Sequence, residues 1–247
     1  MTALAALTER VLLNTQRDLD LPFAVLTPVA TFIGFTFVLR NVIDTGGMSY
    51  PQYVLPAIVI QAMVFGSMTT ADRAARDQAS GLGTRLRTLP ISAATPLMAR
   101  MTYCLLRGAL ALAAAIGTAY VFGFRLTGGF VYVAAFVVVT LVLTLALSLG
   151  ADATGTRFCR MEACSQLLLV PQLLLVLLST GMAPADSFPG WLQPFVRYQP
   201  VSQVAETLRG FASGEVVASN LATSLAWCLG LLVVFGAIAV QMQRRTQ

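Results

Sequence analysis

The sequence predicts an all-α integral membrane protein with six transmembrane helices, and three observations carry that prediction. The 247-residue chain is 57% hydrophobic and only 11% charged, with a mean hydropathy of +0.76. Soluble domains carry about 25% charged residues, so too little polar side chain is present to cover a water-facing surface. Six apolar stretches approach the roughly 20 residues needed to cross a hydrocarbon core about 30 Å thick. The polar segments between them are too short for a soluble domain, which leaves one membrane domain over residues 1–247.

The first stretch, Leu21 to Leu39, has neither a small-x-small cleavage site nor a strongly basic leader, so it reads as a retained span and not a signal peptide. Before it, in residues 1–20, Leu4, Leu7 and Val11 recur at helical spacing, with Glu9, Arg10, Arg17 and Asp18 on the polar side. That pattern predicts a helix lying in the membrane interface before the chain turns inward at Pro22; the alternative is a frayed terminus. The remaining stretches run Tyr53 to Thr70, Met101 to Phe122, Phe130 to Gly150, Cys164 to Met182 and Leu221 to Val240.

Arginine placement orients these spans. Arg10, Arg17, Arg73, Arg76, Arg85, Arg87, Arg100, Arg157, Arg160, Arg244 and Arg245 fall on one side, whereas only Arg40, Arg125, Arg197 and Arg209 fall on the other. The arginine-rich side is the cytoplasmic one, so both termini are expected there.

All 16 basic residues are arginine, and histidine is absent. Without lysine no GxxxxGK[ST] phosphate loop exists, so the chain cannot hydrolyse ATP by that route. The same absences exclude lysine Schiff bases, Ser-Lys dyads, histidine-dependent triads, HExxH zinc sites and histidine proton relays. No catalytic, cofactor-binding or metal-binding residue is expected. An all-arginine basic set fits a GC-rich bacterial genome, and the predicted location is a bacterial plasma membrane. Cys104 and Cys228 fall in apolar stretches, and Cys159 and Cys164 have no second pair or histidine to complete a metal site, so free thiols are expected.

The spans carry no Asp or Glu near their centres, which argues against proton- or sodium-coupled transport. Asp72, Asp152 and Glu162 are placed at or beyond cytoplasmic ends. Asp152 and Glu162, beside Arg157 and Arg160, read as a salt-bridged loop and not as the acid cluster of a membrane enzyme. Arg107 alone lies within a span, where its stem can snorkel to the headgroups; lining a substrate path is the alternative. Gln61, Gln166 and Gln172 are expected to join helices. Energy for any transport must come from a partner.

Two loops carry more specific information. In the cytoplasmic segment 71–100, Gly81 and Gly83 end the outgoing helix, Thr84 caps a short one containing Arg85, Leu86 and Arg87, and Pro90 limits it. With Leu82, Leu86 and Leu89 beside the arginines, this reads either as a docking knob for another protein or as a basic loop touching lipid. In the external segment 183–219, Pro184, Pro189, Pro194 and Pro200 punctuate short pieces. Val201, Val204, Ala205, Leu208 and Phe211 follow helical spacing, and Trp191, Phe195 and Tyr198 suit an aromatic belt. Short helices that dip into the outer leaflet are expected.

The motifs Ser187-Phe-Pro-Gly-Trp-Leu-Gln-Pro-Phe-Val, Gln199-Pro-Val-Ser and Leu208-Arg-Gly-Phe, with Gly214 after them, resemble the permease subunits of type-2 ABC exporters. So does Arg85-Leu-Arg-Thr-Leu-Pro-Ile-Ser in the cytoplasmic loop, and both sets are similar to the daunorubicin-resistance branch, which exports drugs, polyketide-derived lipids and related hydrophobic products. Many relatives have a glutamate before the loop glycine, where the nearest acid here is Asp77. The resemblance implies an interfacial N-terminal helix, six spans and two short re-entrant external helices between the fifth and sixth. It implies ATPase coupling through Gly81, Gly83, Thr84, Arg85, Leu86, Arg87, Leu89 and Pro90, and an external gate at Pro189, Trp191, Tyr198, Pro200 and Arg209. Trp191 and Tyr198 fit interfacial anchoring as well as gating.

The implied partners are ABC ATPase subunits, which hold the ATP and Mg, a second permease copy or a sister permease, the lipid bilayer and a hydrophobic substrate. No nucleic acid is expected. The alternative function is a non-transporting membrane scaffold or assembly factor.

Overall fold

The computed structural model describes residues 20–39, 48–81, 94–158, 164–181 and 183–245, and the regular secondary structure over these is all helix. The long helices are α1 (Asp20–Leu39), α2 (Tyr50–Ala79), α3 (Ala94–Val121), α4 (Gly129–Phe158) and α8 (Ala218–Arg245). Between α4 and α8 come α5 (Cys164–Leu177), a 3-10 turn (Ala185–Ser187), α6 (Gln193–Tyr198) and α7 (Pro200–Ser213).

Among the described residues, five helices are long and apolar enough to cross a membrane. The stretch from Cys164 to Met182 supplies a shorter helix, the 14-residue α5 with Pro171 inside it. At 1.5 Å per residue α5 covers about 21 Å, short of the roughly 30 Å core. The chain after α5 turns at residues 178–181 instead of continuing as helix. The predicted interfacial helix at residues 1–20 lies outside the described residues but for Asp20, which opens α1.

α2 is the hub. It packs against α1, α3, α4, α5 and α7, whereas α1 packs on α2 and α3, and α8 on α4 and α7. Its burial follows from its sequence: the run from Tyr53 to Ile60 is apolar on every face and entirely buried. A helix apolar all round belongs in the middle of a bundle. Phe32 of α1, Leu112 and Ala115 of α3, Phe136 and Leu143 of α4 and Val204, Leu208 and Phe211 of α7 complete this core. The opposite faces of α1 and α8 leave Phe23, Leu26, Phe37, Leu229 and Val233 exposed, as lipid-facing side chains are.

Close helix contact needs small residues. A Cβ at Gly155 of α4 would lie 2.3 Å from the Ala71 carbonyl oxygen of α2, so the two backbones meet there only because the residue is glycine. α2 itself extends past the apolar run from Tyr53 to Thr70 for about two more turns, through Asp72, Arg73, Arg76 and Asp77.

Candidate functional site

At the end where α2 begins, α7 lies against the bundle and builds a polar cavity of about 470 Å³, lined by Tyr53, Arg197, Tyr198, Gln203, Glu206 and Arg209 among others. The predicted spacing of α7 is realised: Val204, Ala205, Leu208 and Phe211 are buried. Pro200 occupies its first turn, where a missing N–H costs nothing, and Gly214 ends it with φ +84° in the left-handed region.

Arg209 organises this end. Its Nε donates to the Tyr53 carbonyl at 3.1 Å, and its Nη2 donates to the Thr180 and Gly181 carbonyls at 2.8 and 3.2 Å. The guanidinium stands 3.9 Å from the centre of the Tyr53 ring. Tyr53 Oη also donates to the Thr180 carbonyl at 3.1 Å. Burial pushes the Arg209 guanidinium below its ordinary value, and the neighbouring Tyr53 and Glu206 oppose that shift.

The same α7 caps the exit of α5. Gln199 Nε2 donates to the Leu178 carbonyl, and the Thr180 amide donates to Ser202 Oγ at 3.0 Å. Thr207 joins α7 to α8 through Ser224 Oγ at 2.9 Å, and Asn220 Nδ2 donates to Glu206 Oε2 at 3.1 Å. Backbone polar groups that leave a helix inside a bundle must find partners, and here α7 side chains supply them.

At the opposite end, where α2 stops and α3 starts, partly buried charges form a seam around the buried Asp152. Asp20 Oδ2 accepts from Arg73 Nη2 at 3.1 Å and from Tyr103 Oη at 2.9 Å, and Asp20 Oδ1 accepts from Arg107 Nε at 3.2 Å. Arg73 also stacks on the Tyr103 ring, 4.3 Å from its centre. Arg100 grips Asp152 of α4 with two bonds, at 2.6 and 3.1 Å, and reaches Asp77 of α2 at 3.4 Å. Arg100, Tyr103 and Arg107 recur at three- and four-residue spacing, so they form one stripe on α3, and Arg73 and Asp77 form another on α2.

One charge expectation at this end changes. Arg107 is tied through Nε to Asp20, and its Nη1 lies over Gly66, leaving no room for an added Cβ there. Asp152 is not a loop residue. It lies inside α4, 1% exposed, and Arg100 holds it. Gln172 joins helices as expected, donating to Ser67 of α2 at 3.0 Å. Gln166 and the side chains of Cys159 and Cys164 fall outside the described residues, and Cys104 and Cys228 are buried free thiols.

The model of the ABC-2 type transporter family matches residues 2–212. The chain belongs to that family. It is similar to the probable doxorubicin resistance ABC transporter permease protein DrrC of Mycobacterium tuberculosis, 30% identical over 233 residues that cover 92% of this chain and 83% of the relative. It is also similar to the doxorubicin resistance ABC transporter permease protein DrrB of the same organism, at 33% over 189 residues, covering 74% and 65% of the two chains. With the daunorubicin resistance ABC transporter permease protein DrrB1 of Streptomyces coeruleorubidus the identity is 27% over 225 residues, covering 89% and 78%.

This ABC-2 permease is therefore a multi-pass membrane subunit of an ABC transporter, and ATP hydrolysis lies in a separate nucleotide-binding subunit. Among the described residues no group of three His, Cys, Asp or Glu could hold a metal ion. Of the residues expected to couple to the ATPase, Gly81 ends the α2 turn with φ +66°, and Gly83, Thr84, Arg85, Leu86, Arg87, Leu89 and Pro90 lie outside the described residues. Of those expected at the external gate, Arg209 and Tyr198 line the α7 cavity, and Pro200 stands at the start of α7. Trp191 is 81% exposed, beside Pro189, whose carbonyl accepts the Leu192 amide at 2.8 Å.

Sequence reading caught Gln199 and Ser202 in a motif without assigning them a role, and it missed Tyr53 and Glu206 at one end and Asp20 and Tyr103 at the other. The available signal was Arg107: a charge so far inside a span requires an acid, and Asp20 is the one that opens α1.

Proposed function

We propose that the permease moves a hydrophobic or amphipathic substrate, such as a drug, polyketide or complex lipid, out across the plasma membrane. The observation that carries this reading is the similarity, over most of its length, to relatives named for doxorubicin and daunorubicin resistance. The placement of charge supports it. Asp20, Asp77 and Asp152 all sit at one end of the bundle in ion pairs, so no described carboxylate stands free at mid-membrane to couple an ion gradient.

The partner ATPases engage the Gly81 to Pro90 segment, and their closure rocks two permease halves, a second copy or a sister permease, between inward- and outward-open states. Substrate leaves between the halves, past the α7 cavity at the outer face. The arginine distribution supports a cytoplasmic position for the segment 71–100 and for both termini. The interfacial helix, the fifth span at Cys164 to Met182 and the dipping of residues 183–219 into the outer leaflet belong to the same proposal.

The test is purification of the tagged permease in mild detergent, followed by transport in inside-out vesicles. An ATP-binding subunit should co-purify, and vesicles should accumulate doxorubicin with ATP but not with a non-hydrolysable analogue. The double variant R85A/R87A should lose both the ATPase subunit and uptake. A permease that carries no nucleotide-binding partner overturns the reading in favour of a membrane scaffold.

A further inference from the structure

We propose that Asp20 is a positioning residue that carries motion of the α2–α3 pair to α1; this rests on the reading that the segment between those helices receives the ATPase stroke. Asp20 is the first residue of α1, and both its oxygens are engaged from the two helices that flank that segment. Arg73 stands about two turns from the end of α2, and Arg107 about 20 Å into α3. One carboxylate thus fixes α1 against α2 and α3 at once.

Among the described residues, the rest of the α1 interface shows no comparable ion pair or hydrogen bond. Its contacts with α2 and α3 are apolar, centred on Phe32, and its far side faces lipid through Phe23, Leu26 and Phe37. Apolar contact is not directional, so α1 can slide on α2 and α3 without losing much burial. Three directional bonds at its first residue set its register. Stability alone does not require them, because well-packed apolar side chains of similar volume usually serve a buried ion pair's place as well or better.

The flank at α4 differs. Asp152 ties α4 to Arg100 of α3, but α4 also meets α2 backbone to backbone at Gly155 and Ala71. Motion of α2 reaches α4 through that rigid packing with or without the ion pair. On α1 the carboxylate is the separable link, and its removal should disconnect α1 while the rest of the bundle still responds.

The experiment uses the complete transporter, permease and ATPase subunit together, in liposomes. Wild type, Asp20→Asn, Asp20→Glu and the double variant D20N/R107Q are compared for ATP hydrolysis and ATP-dependent doxorubicin uptake. The double variant removes one of the two cations that Asp20→Asn would leave facing each other, so it keeps the test open if the single variant fails to assemble. Asp20→Asn or the double variant should hydrolyse ATP near the wild-type rate while uptake per ATP falls about tenfold. Asp20→Glu should restore most of it. Unchanged uptake per ATP in the double variant overturns the proposal, as does a parallel loss of assembly in all three variants, which would mark the cluster as structural. A wild-type complex that hydrolyses ATP and accumulates nothing overturns the exporter reading itself, and this inference with it.

Discussion

Arg209 and Tyr53 meet twice: the guanidinium lies over the Tyr53 ring at 3.9 Å, and Nε donates to the Tyr53 carbonyl at 3.1 Å. One side chain of α7 therefore clamps the first turn of α2 and the chain leaving α5. Arg209→Ala should destabilise the permease by about 2–4 kcal/mol, because buried carbonyls lose their donor. Arg209→Lys should recover only part of this, since an ammonium cannot reproduce the planar fork or the stacking. Tyr53→Phe removes one hydrogen bond and keeps the ring, at about 1 kcal/mol. Thermal unfolding in detergent, followed by size-exclusion chromatography, ranks the three.

Arg100 and Asp152 give the second prediction. Asp152→Ala strips a nearly inaccessible guanidinium of its main partner and should cost about 3–5 kcal/mol. Neutralising both sides, in R100Q/D152N, should recover a large share of the melting temperature. A double variant no better than Asp152→Ala would show that the pair does not act as a unit.

Gly155 gives the third. Even one methyl must push α4 away from the Ala71 carbonyl, so Gly155→Ala should lower stability by about 1–3 kcal/mol and Gly155→Val by more. Gly117, with nothing within 4 Å of its Cβ position, is the matched control; Gly117→Ala should leave unfolding unchanged or raise its temperature. The measurement is the folded fraction recovered after a temperature series.

Trp191 separates gating from anchoring. It is largely exposed, and Trp191→Ala should change stability by less than about 0.5 kcal/mol. A gating role predicts lower doxorubicin uptake at normal expression; unchanged uptake assigns Trp191 to interfacial anchoring. Tyr198→Ala, at the cavity, is the companion variant.

Much of the architecture was legible because apolar runs of membrane length can hardly fold otherwise. The α7 stripe of Val204, Leu208 and Phe211 was legible too, since its 3.6-residue period survives burial. The end of α5 was not. Hydropathy continues from Cys164 to Met182, but the helix stops at Leu177. Partners for the next carbonyls and amides come from Gln199, Ser202 and Arg209, about 20 to 30 residues further on, which no local pattern records. The Asp20–Arg107 pair spans 87 positions, and only the cost of an unpaired charge hinted at it. The α2 tail was legible as helix running to the break at Gly81, but the partners of Arg73 and Asp77 on α1 and α3 were not.

The exit of α5 has a consequence for how the chain is made. When the turn after α5 leaves the ribosome, its Leu178 and Gly181 carbonyls have none of their eventual side-chain donors and its Thr180 carbonyl has only Tyr53, because Gln199 and Arg209 have yet to emerge. Insertion of α5 is thus provisional until α7 emerges and swings back beneath it. The last third of the protein should settle into the bilayer as one late event, and a nascent chain arrested before residue 200 should be markedly easier to extract or degrade than one arrested after residue 214.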